Sequence, residues 1–299
     1  MPAYDRIHPI EFVGNLLCRQ SHRKCNLARV RWIIGDIHGM LRPLENLLAA
    51  VSQRDPQPRW FFVGDYVNRG PDSRGVVELL LQLPNAQFCR GNHDDIFDLI
   101  LNGVSFSDHG TQNSRGLAFR WFMEHGLLDT LASYGIERTA MAKVIRKPTG
   151  GDLDLLIESI PQTHRQFFRN LLPAIEEPDL FVTHARWEPQ TPDSDPELSV
   201  VLEINHELRK TATWGRFTME ELDMPKVWRR TGYFGHTPVD NYGHRGGYDP
   251  HGGGNLVPIV ANKLVLVDTA AALSPVGRLT AYCPDTSSYI QIDRSGNLV

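Results

Sequence analysis

The chain has 299 residues, 41% hydrophobic and 22% charged, enough to bury a core and ordinary for a globular protein. Its formal net charge of −4 argues against a general nucleic-acid-binding surface, and no apolar run approaches the roughly 20 residues needed to span a bilayer. Four scattered cysteines (Cys18, Cys25, Cys89, Cys283) make no disulfide framework, and the first residues lack the basic start and apolar block of a secretory signal. A cytoplasmic protein with reduced thiols, no nucleic-acid partner and no membrane association is therefore expected. Cys18, His22 and Cys25 match no zinc-ligand spacing and read as part of a surface extension.

VRWIIGD (30–36) is a short apolar run ending in Gly-Asp, which predicts a buried strand. LENLLAAV (44–51) has helical apolar spacing, RWFFVGD (59–65) repeats strand then Gly-Asp, SRGVVELLLQL (73–83) is helical again, and AQFCRGNHD (86–94) is a third strand ending in a polar cluster. Alternation of this kind predicts right-handed crossovers and a parallel sheet, with ligands at the carboxyl ends of the strands. Residues from about 96 to 168 read as helices and loops, including a helical pair in FRWFMEHGLLDTLASYG (119–135) broken at Gly126. Strand-like runs return at DLFVTHA (179–185), TGYFGHTP (231–238), KLVLVDTA (263–270), LTAYC and YIQI. The glycine-rich DNYGHRGGYDPHGGGN (240–255) is too long for a tight hairpin and is expected to be a surface loop at the rim of the site, with His244 and His251 available to line it.

Five polar clusters fall just past strands: Asp36 and His38, Asp65, Asn92 to Asp94, His184, and His236. Singly each is weak, since a strand-end histidine is more often a hydrogen-bonded core residue and a Gly-Asp more often a turn. Together they supply carboxylate, amide and imidazole donors suited to Mn²⁺, Fe or Zn²⁺, in number sufficient for two ions. Cysteine is absent from all five, which argues against a structural thiolate zinc site.

In this order GDIHG, GDYVNRG, GNHD, THA and GHTP resemble the motifs of the calcineurin-like metallophosphoesterases, and the chain is most similar to the phosphoprotein phosphatase branch and its bacterial and phage members. HGLLDTLASYG, THRQFFRNLLP, TWGR and VDTAA extend the resemblance over nearly everything from Val30 onward. It implies a four-layer α/β/β/α sandwich of two mixed sheets with flanking helices. It also implies a catalytic domain over 29–299 with a helical insert at about 96–170, preceded by an extension of residues 1–28.

The resemblance further implies two divalent metal ions, Mn²⁺ first and Fe or Zn²⁺ as alternatives, with direct attack on phosphorus by a hydroxide shared between them. Asp36, His38 and His236 would hold one ion, Asn92 and His184 the other, and Asp65 both. Arg69 and Arg216 would grip phosphate oxygens and His93 would protonate the leaving group. The chemistry agrees. Two ions roughly 3.5–4 Å apart can clamp an in-line displacement and bring the pKa of bound water to about 7, and arginine's fork of donors matches phosphate. An ordinary salt bridge would also suit Arg69, and a plain surface position would suit Arg216. Arg74 and Arg90 are assigned no role, and neither are His109 and His125 as metal ligands. Asp94 and Asp95 are expected to open a helix, where acids suit its N-terminal dipole. Asp268 is expected to shape the site without touching metal.

Three functions follow. The first is a phosphomonoesterase acting on phosphorylated protein or a small phosphoester. The second is a phosphoanhydride hydrolase like the symmetrical dinucleoside tetraphosphatases, which GNHD and a non-acid at position 68 also resemble. The third, a non-catalytic scaffold, is disfavoured because all six expected ligands are present. Position 68 is usually Asp in the phosphatase branch, where it pairs with the histidine matching His93 and favours its charged form. Asn68 offers an amide oxygen without the charge. A hydrogen bond between charged partners is worth about 1.5–3 kcal/mol against roughly 0.5–1.5 for a neutral one. His93 should therefore be a weaker acid, which predicts preference for aryl phosphates or phosphoanhydrides over phosphoserine.

Overall fold

Successive side chains of a strand face opposite ways, and here both faces are buried. In a computed structural model, residues 29–107, 115–147, 151–187, 197–249 and 253–299 are described; Cys18, His22, Cys25, His109 and His251 lie outside them. The first sheet begins with β1 (Arg31–Ile34), β2 (Arg59–Phe62) and β3 (Ala86–Phe88), joined in parallel through helices α1 (Leu41–Arg54) and α2 (Ser73–Leu81). After β3 come α3 (Asn92–Asn102), α4 (Arg115–Phe122), a wide turn over Met123–Leu127, and α5 (Leu128–Ser133), α6 (Arg138–Arg146), α7 (Gly151–Glu158) and α8 (Gln162–Arg169).

The second half contributes β4 (Ile175–Glu176), β5 (Leu180–Val182), α9 (Leu198–Ile204), α10 (His206–Trp214), α11 (Met219–Asp223), β6 (Thr231–Phe234), β7 (Tyr248–Asp249), β8 (Gly253–Gly254), β9 (Ile259–Ala261), β10 (Leu264–Leu266), β11 (Arg278–Cys283) and β12 (Ser288–Asp293). The strands form two mixed sheets, ordered β12-β11-β1-β2-β3 and β4-β5-β6-β10-β9.

Alternation explains the layering. Ile33 and Phe61 of the first sheet pack with Leu180, Val182, Tyr233 and Val265 of the second, forming the core between the sheets. Their neighbours Trp32, Ile34, Trp60 and Phe62 face α1, α2 and α3, while Phe181, Phe234, Leu264 and Leu266 face the helices of the second half. Three apolar layers between four layers of structure give the α/β/β/α sandwich. At one edge Arg31 ties the sheets by pairing with both Asp179 and Asp285. Among the described residues, no helix is long and apolar enough to cross a membrane.

Two expectations are corrected. The third strand stops at Phe88, and Asn92 already belongs to α3. The Asp94 carboxylate accepts from Gly91 N at 3.0 Å, so the GNHD cluster folds into a capped first helical turn. The stretch 240–255 is not a plain loop. Val239–Gly246 winds into 3₁₀ turns and β7 pairs with β8, because backbone donors here find backbone partners, local and distant: Gly247 N on His244 O, Val257 N on Gly246 O and Val239 N on Asp268 O. The break at Gly126 is present, with φ at 91°.

Candidate functional site

The strand ends β1, β2, β5 and β6 and the start of α3 converge on one small cleft. Asp36, His38, Asp65, Asn68, Asn92, His93 and His184 are each buried to within 4% exposure, and His236 to 9%. The loops that carry them are held in an uncommon conformation: His38, Asp65, Asn68, Arg69 and His236 all have φ between 47° and 73°. Non-glycine residues take such angles rarely, and a run of them marks a site whose surroundings impose them. The restraints are visible. His38 N donates to Asp65 O, Gly70 N to His38 O and Arg69 N to Gly126 O, while Asp94 accepts from Asp65 N at 2.7 Å and Tyr66 N at 3.0 Å.

Glycine's part in the motifs is close approach. A Cβ on Gly91 would lie 2.2 Å from Asp65 Oδ1, and one on Gly235 would lie 2.1 Å from Asp36 Oδ1. The two carboxylates occupy the space that side chains would fill.

Backbone carbonyls fix which nitrogen of each ring faces inward. His38 Nδ1 donates to Val67 O at 2.9 Å, His184 Nδ1 to Val63 O at 3.0 Å, and His236 Nε2 to Trp214 O at 3.1 Å. The opposite nitrogens therefore present lone pairs. His184 Nε2 and His236 Nδ1 lie 2.9 and 3.0 Å from Asn92 Oδ1, itself an acceptor. Asp65 Oδ1 is 3.5 Å from His184 Nε2, and its other oxygen, Oδ2, is 3.4 Å from His38 Nε2. One carboxylate thus turns one oxygen toward the lone pair of His38, beside which His93 stands, and the other toward the lone-pair nitrogens of His184 and His236. Such acceptors repel one another in the absence of a cation, and their chemistry suits a divalent one. The resemblance implied that His236 shares an ion with Asp36 and His38. Geometry groups its ring with Asn92 and His184 instead, and only its backbone N–H reaches Asp36, at 3.0 Å.

Electrostatics point the same way. Burial, then the charges of Asp268 and Asp65, pushes the Asp36 carboxyl well above the usual carboxylate range. Burial raises Asp65, Asp94 and Asp268 to about 7. Burial also lowers His184 to about 4 and, aided by neighbouring rings and by Arg69, carries His38, His93 and His236 well below the ordinary imidazole value. Neutral imidazoles beside carboxylates that resist ionisation are a donor set a dication would stabilise.

Asn68 differs from expectation in one respect. Its amide nitrogen, not its oxygen, meets His93: Nδ2 donates to His93 Nδ1 at 2.8 Å, and Oδ1 accepts from Thr130 Oγ1 at 3.0 Å. Thr130 Oγ1 also accepts from Asn68 N at 2.8 Å. A ring that accepts at Nδ1 carries its proton at Nε2, which faces Arg69 Nη2 at 3.0 Å. Arg69 Nη2 stands at donor distance from that same nitrogen, and a neutral ring accepts at one nitrogen only, so a proton on Nε2 requires Arg69 to turn its N–H to a substrate oxygen. Arg69 Nη1 donates to His38 Nε2.

The cleft, about 180 Å³, is lined by Asp65, Arg69, Asn92, His93, Phe122, His125, Trp214, Arg216 and His236. Its rim comes from α4, its following turn and the end of α10. His244 is exposed and is not among these residues. Phe122, His125 and Trp214 were missed because no motif marks them; only their place in FRWFMEHG and TWGR could have drawn attention. Asp94 and Asp95 do open α3, but their carboxylates are buried in specific bonds, Asp95 with Ser105, Phe106 N and Ser107. Arg90 is structural, bonding Asp98 and Phe168 O, and Arg74 pairs with Glu78 at the surface. Asp268 accepts from Ala270 N behind Asp36.

Comparison with known proteins gives a consistent answer. The family model of the calcineurin-like phosphoesterases matches residues 31–204. A protein from Legionella pneumophila (strain Corby) named symmetrical bis(5'-nucleosyl)-tetraphosphatase is 36% identical over 80 residues, 26% of this chain and 29% of that protein. One of the same name from Coxiella burnetii is 41% identical over 83 residues, 27% of this chain and 28% of that protein. The chain thus spans less than a third of the length of the curated relatives it matches. A cold-active protein-tyrosine phosphatase from a psychrophilic Shewanella has the same fold, with a TM-score of 0.51 at 16% identity over 91% of this chain and 80% of that one.

Proposed function

The chain belongs to the calcineurin-like phosphoesterase family, and from that premise we propose that it is a dimetal hydrolase of phosphate monoesters. One observation carries the reading: the Asp65 carboxylate turns Oδ1 toward His184 and Oδ2 toward His38, each presenting a lone pair. Asp36, His38 and Asp65 would hold one divalent ion, and Asp65, Asn92, His184 and His236 the other. Bound there, the ions supply Lewis acidity toward phosphoryl oxygen and a water of lowered pKa.

The chain's own residues do the rest. Arg69 and Arg216 neutralise phosphoryl oxygens and orient the ester for in-line attack. Water adds to phosphorus as the P–O bond to the leaving group breaks; the proton that water loses ends on the departing oxygen through solvent, and His93 Nε2–H hydrogen-bonds that oxygen as its charge develops. No side chain is covalently modified. Phe122 and Trp214 exclude water from the remaining wall. Catalysis by Mn²⁺-loaded protein, lost on chelation and regained with Mn²⁺, is the expected result on an aryl phosphate; full turnover by metal-free protein would overturn the dimetal reading.

Asn68 tunes the acid. As a donor to Nδ1 it disfavours a second proton on the ring, so His93 supplies a hydrogen bond from Nε2 to the departing oxygen in place of an imidazolium proton. Asn68→Asp would replace that donor with a charged acceptor and allow the imidazolium. The ratio of alkyl to aryl phosphate turnover should then rise about tenfold near pH 7, the equivalent of about 1.4 kcal/mol; an unchanged ratio would contradict the role. The same weakness of His93 as an acid favours a second reading, hydrolysis of a phosphoanhydride, whose phosphate leaving group departs without much protonation. The tetraphosphatase names of the matched relatives support it. A panel of phosphotyrosine and phosphoserine peptides, an aryl phosphate and a dinucleoside tetraphosphate separates the two.

A further inference from the structure

The space beside His93 is walled by rings, and the wall is rigidly placed. The leaving oxygen must lie within reach of His93 Nε2. Among the described residues, three aromatic side chains are in ring contact with His93: His38 at 4.8 Å, Phe122 at 5.1 Å and His125 at 6.5 Å between centroids. His38 lies on the ion-binding side, bonded to the phosphate loop, so the outward side belongs to Phe122 and His125. Phe122 is buried, whereas His125 is exposed and meets Trp121 edge-on at 5.4 Å. Trp121 in turn stacks on Trp214 at 5.7 Å with an interplanar angle of 18°. Among the described residues, Arg69 and Arg216 are the arginines that line the cleft, and His125 is the basic side chain on this wall.

The position of His125 is set by the phosphate loop. The next residue, Gly126, accepts a hydrogen bond from Arg69 N at 3.3 Å. Its φ of 91° admits few other residues, and a Cβ there would fall 2.4 Å from Arg69 N. The turn is thereby pressed against Arg69, and the backbone that carries His125 is held beside the phosphate clamp. The cleft, about 180 Å³, falls below the roughly 300–1,000 Å³ of sites for drug-sized ligands, and suits one phosphoryl group and one ring.

We propose that Phe122 and His125, the latter backed by Trp121, form a leaving-group subsite for a planar aryl group bonded directly to the ester oxygen, so that the preferred substrates are aryl phosphate monoesters. The proposal rests on the phosphomonoesterase reading and narrows it. Offset and edge-to-face ring packing supplies the selectivity. Because the packing is made equally in ground and transition states, its loss raises KM more than it lowers kcat.

The test compares wild type, His125→Ala and His125→Phe, each loaded with Mn²⁺, on phenyl phosphate and ethyl phosphate, with inorganic phosphate as inhibitor. His125→Ala should lose about tenfold in kcat/KM on phenyl phosphate, mostly through KM, with less than twofold change on ethyl phosphate and an unchanged Ki for phosphate. His125→Phe should restore phenyl phosphate turnover to within about twofold of wild type. An equal loss on both esters, or undiminished phenyl phosphate turnover in His125→Ala, overturns the subsite while leaving the esterase reading intact. A wild type inactive on both esters yet active on a dinucleoside tetraphosphate overturns the esterase reading and the subsite with it.

Discussion

Asp65→Asn is expected to lower turnover by at least about 1,000-fold. The carboxylate is the group shared by the two lone-pair clusters, with one oxygen 3.4 Å from His38 Nε2 and the other 3.5 Å from His184 Nε2. Asparagine keeps the shape but loses the charge, and it offers one acceptor where two are needed. Several kcal/mol of Lewis-acid stabilisation depend on holding both ions, and about 1.4 kcal/mol corresponds to a factor of ten. Folding should survive, because asparagine tolerates the φ of 57° found at this position, and an amide oxygen can still accept from His93 N. Titration calorimetry with Mn²⁺ should show the wild-type two-site uptake reduced, with circular dichroism unchanged. A variant that binds two ions and turns over normally would remove Asp65 from its proposed place.

Arg69→Ala should cost about 100- to 1,000-fold in kcat/KM, the range for removing a donor aimed at developing negative charge. Arg69 lines the cleft with Nη2 directed at His93 Nε2, 3.0 Å away, so a phosphoryl oxygen entering beside the pair would take the Arg69 donor in place of the ring. Arg69→Lys should recover little, since an ammonium keeps the charge and loses the planar fork. Arg216, exposed at the rim, should matter less; Arg216→Ala is expected to fall short of the Arg69→Ala loss by about tenfold. Comparable losses at both positions would mean that the two arginines share the clamp equally.

Much of this site was legible because strand ends write short motifs. Asp36, Asp65 and His236 each follow a glycine at the end of an apolar run, and a strand's carboxyl end is where an open α/β sheet collects its polar groups. The α1 and α2 helices were legible from apolar spacing for the same local reason. The 240–255 stretch misled because glycine content speaks for flexibility, whereas bonds such as Val239 N to Asp268 O, far along the chain, fold it. Asp94 showed itself as a helix-opening acid; that its carboxylate also holds the Asp65 loop depends on contacts 28 and 29 residues away.

By itself the amino-acid sequence determined the strand–helix alternation of the first half and the inventory of carboxylate, amide and imidazole donors, while the layering and the oddity of Asn68 came from the family resemblance. The alternation and the inventory are properties of local pattern, where hydrophobic periodicity and residue type suffice. Only the tertiary structure decided which donors share a centre. His236 joins Asn92 and His184 because the Trp214 carbonyl takes one ring nitrogen and leaves the other facing inward. Asn68 points its nitrogen at His93 because Thr130, 62 residues away, donates to its oxygen. His125 reaches the cleft because Gly126 packs on Arg69. Hydrogen-bond direction and ring contact are set through space by partners distant in the chain, and no spacing of letters encodes them.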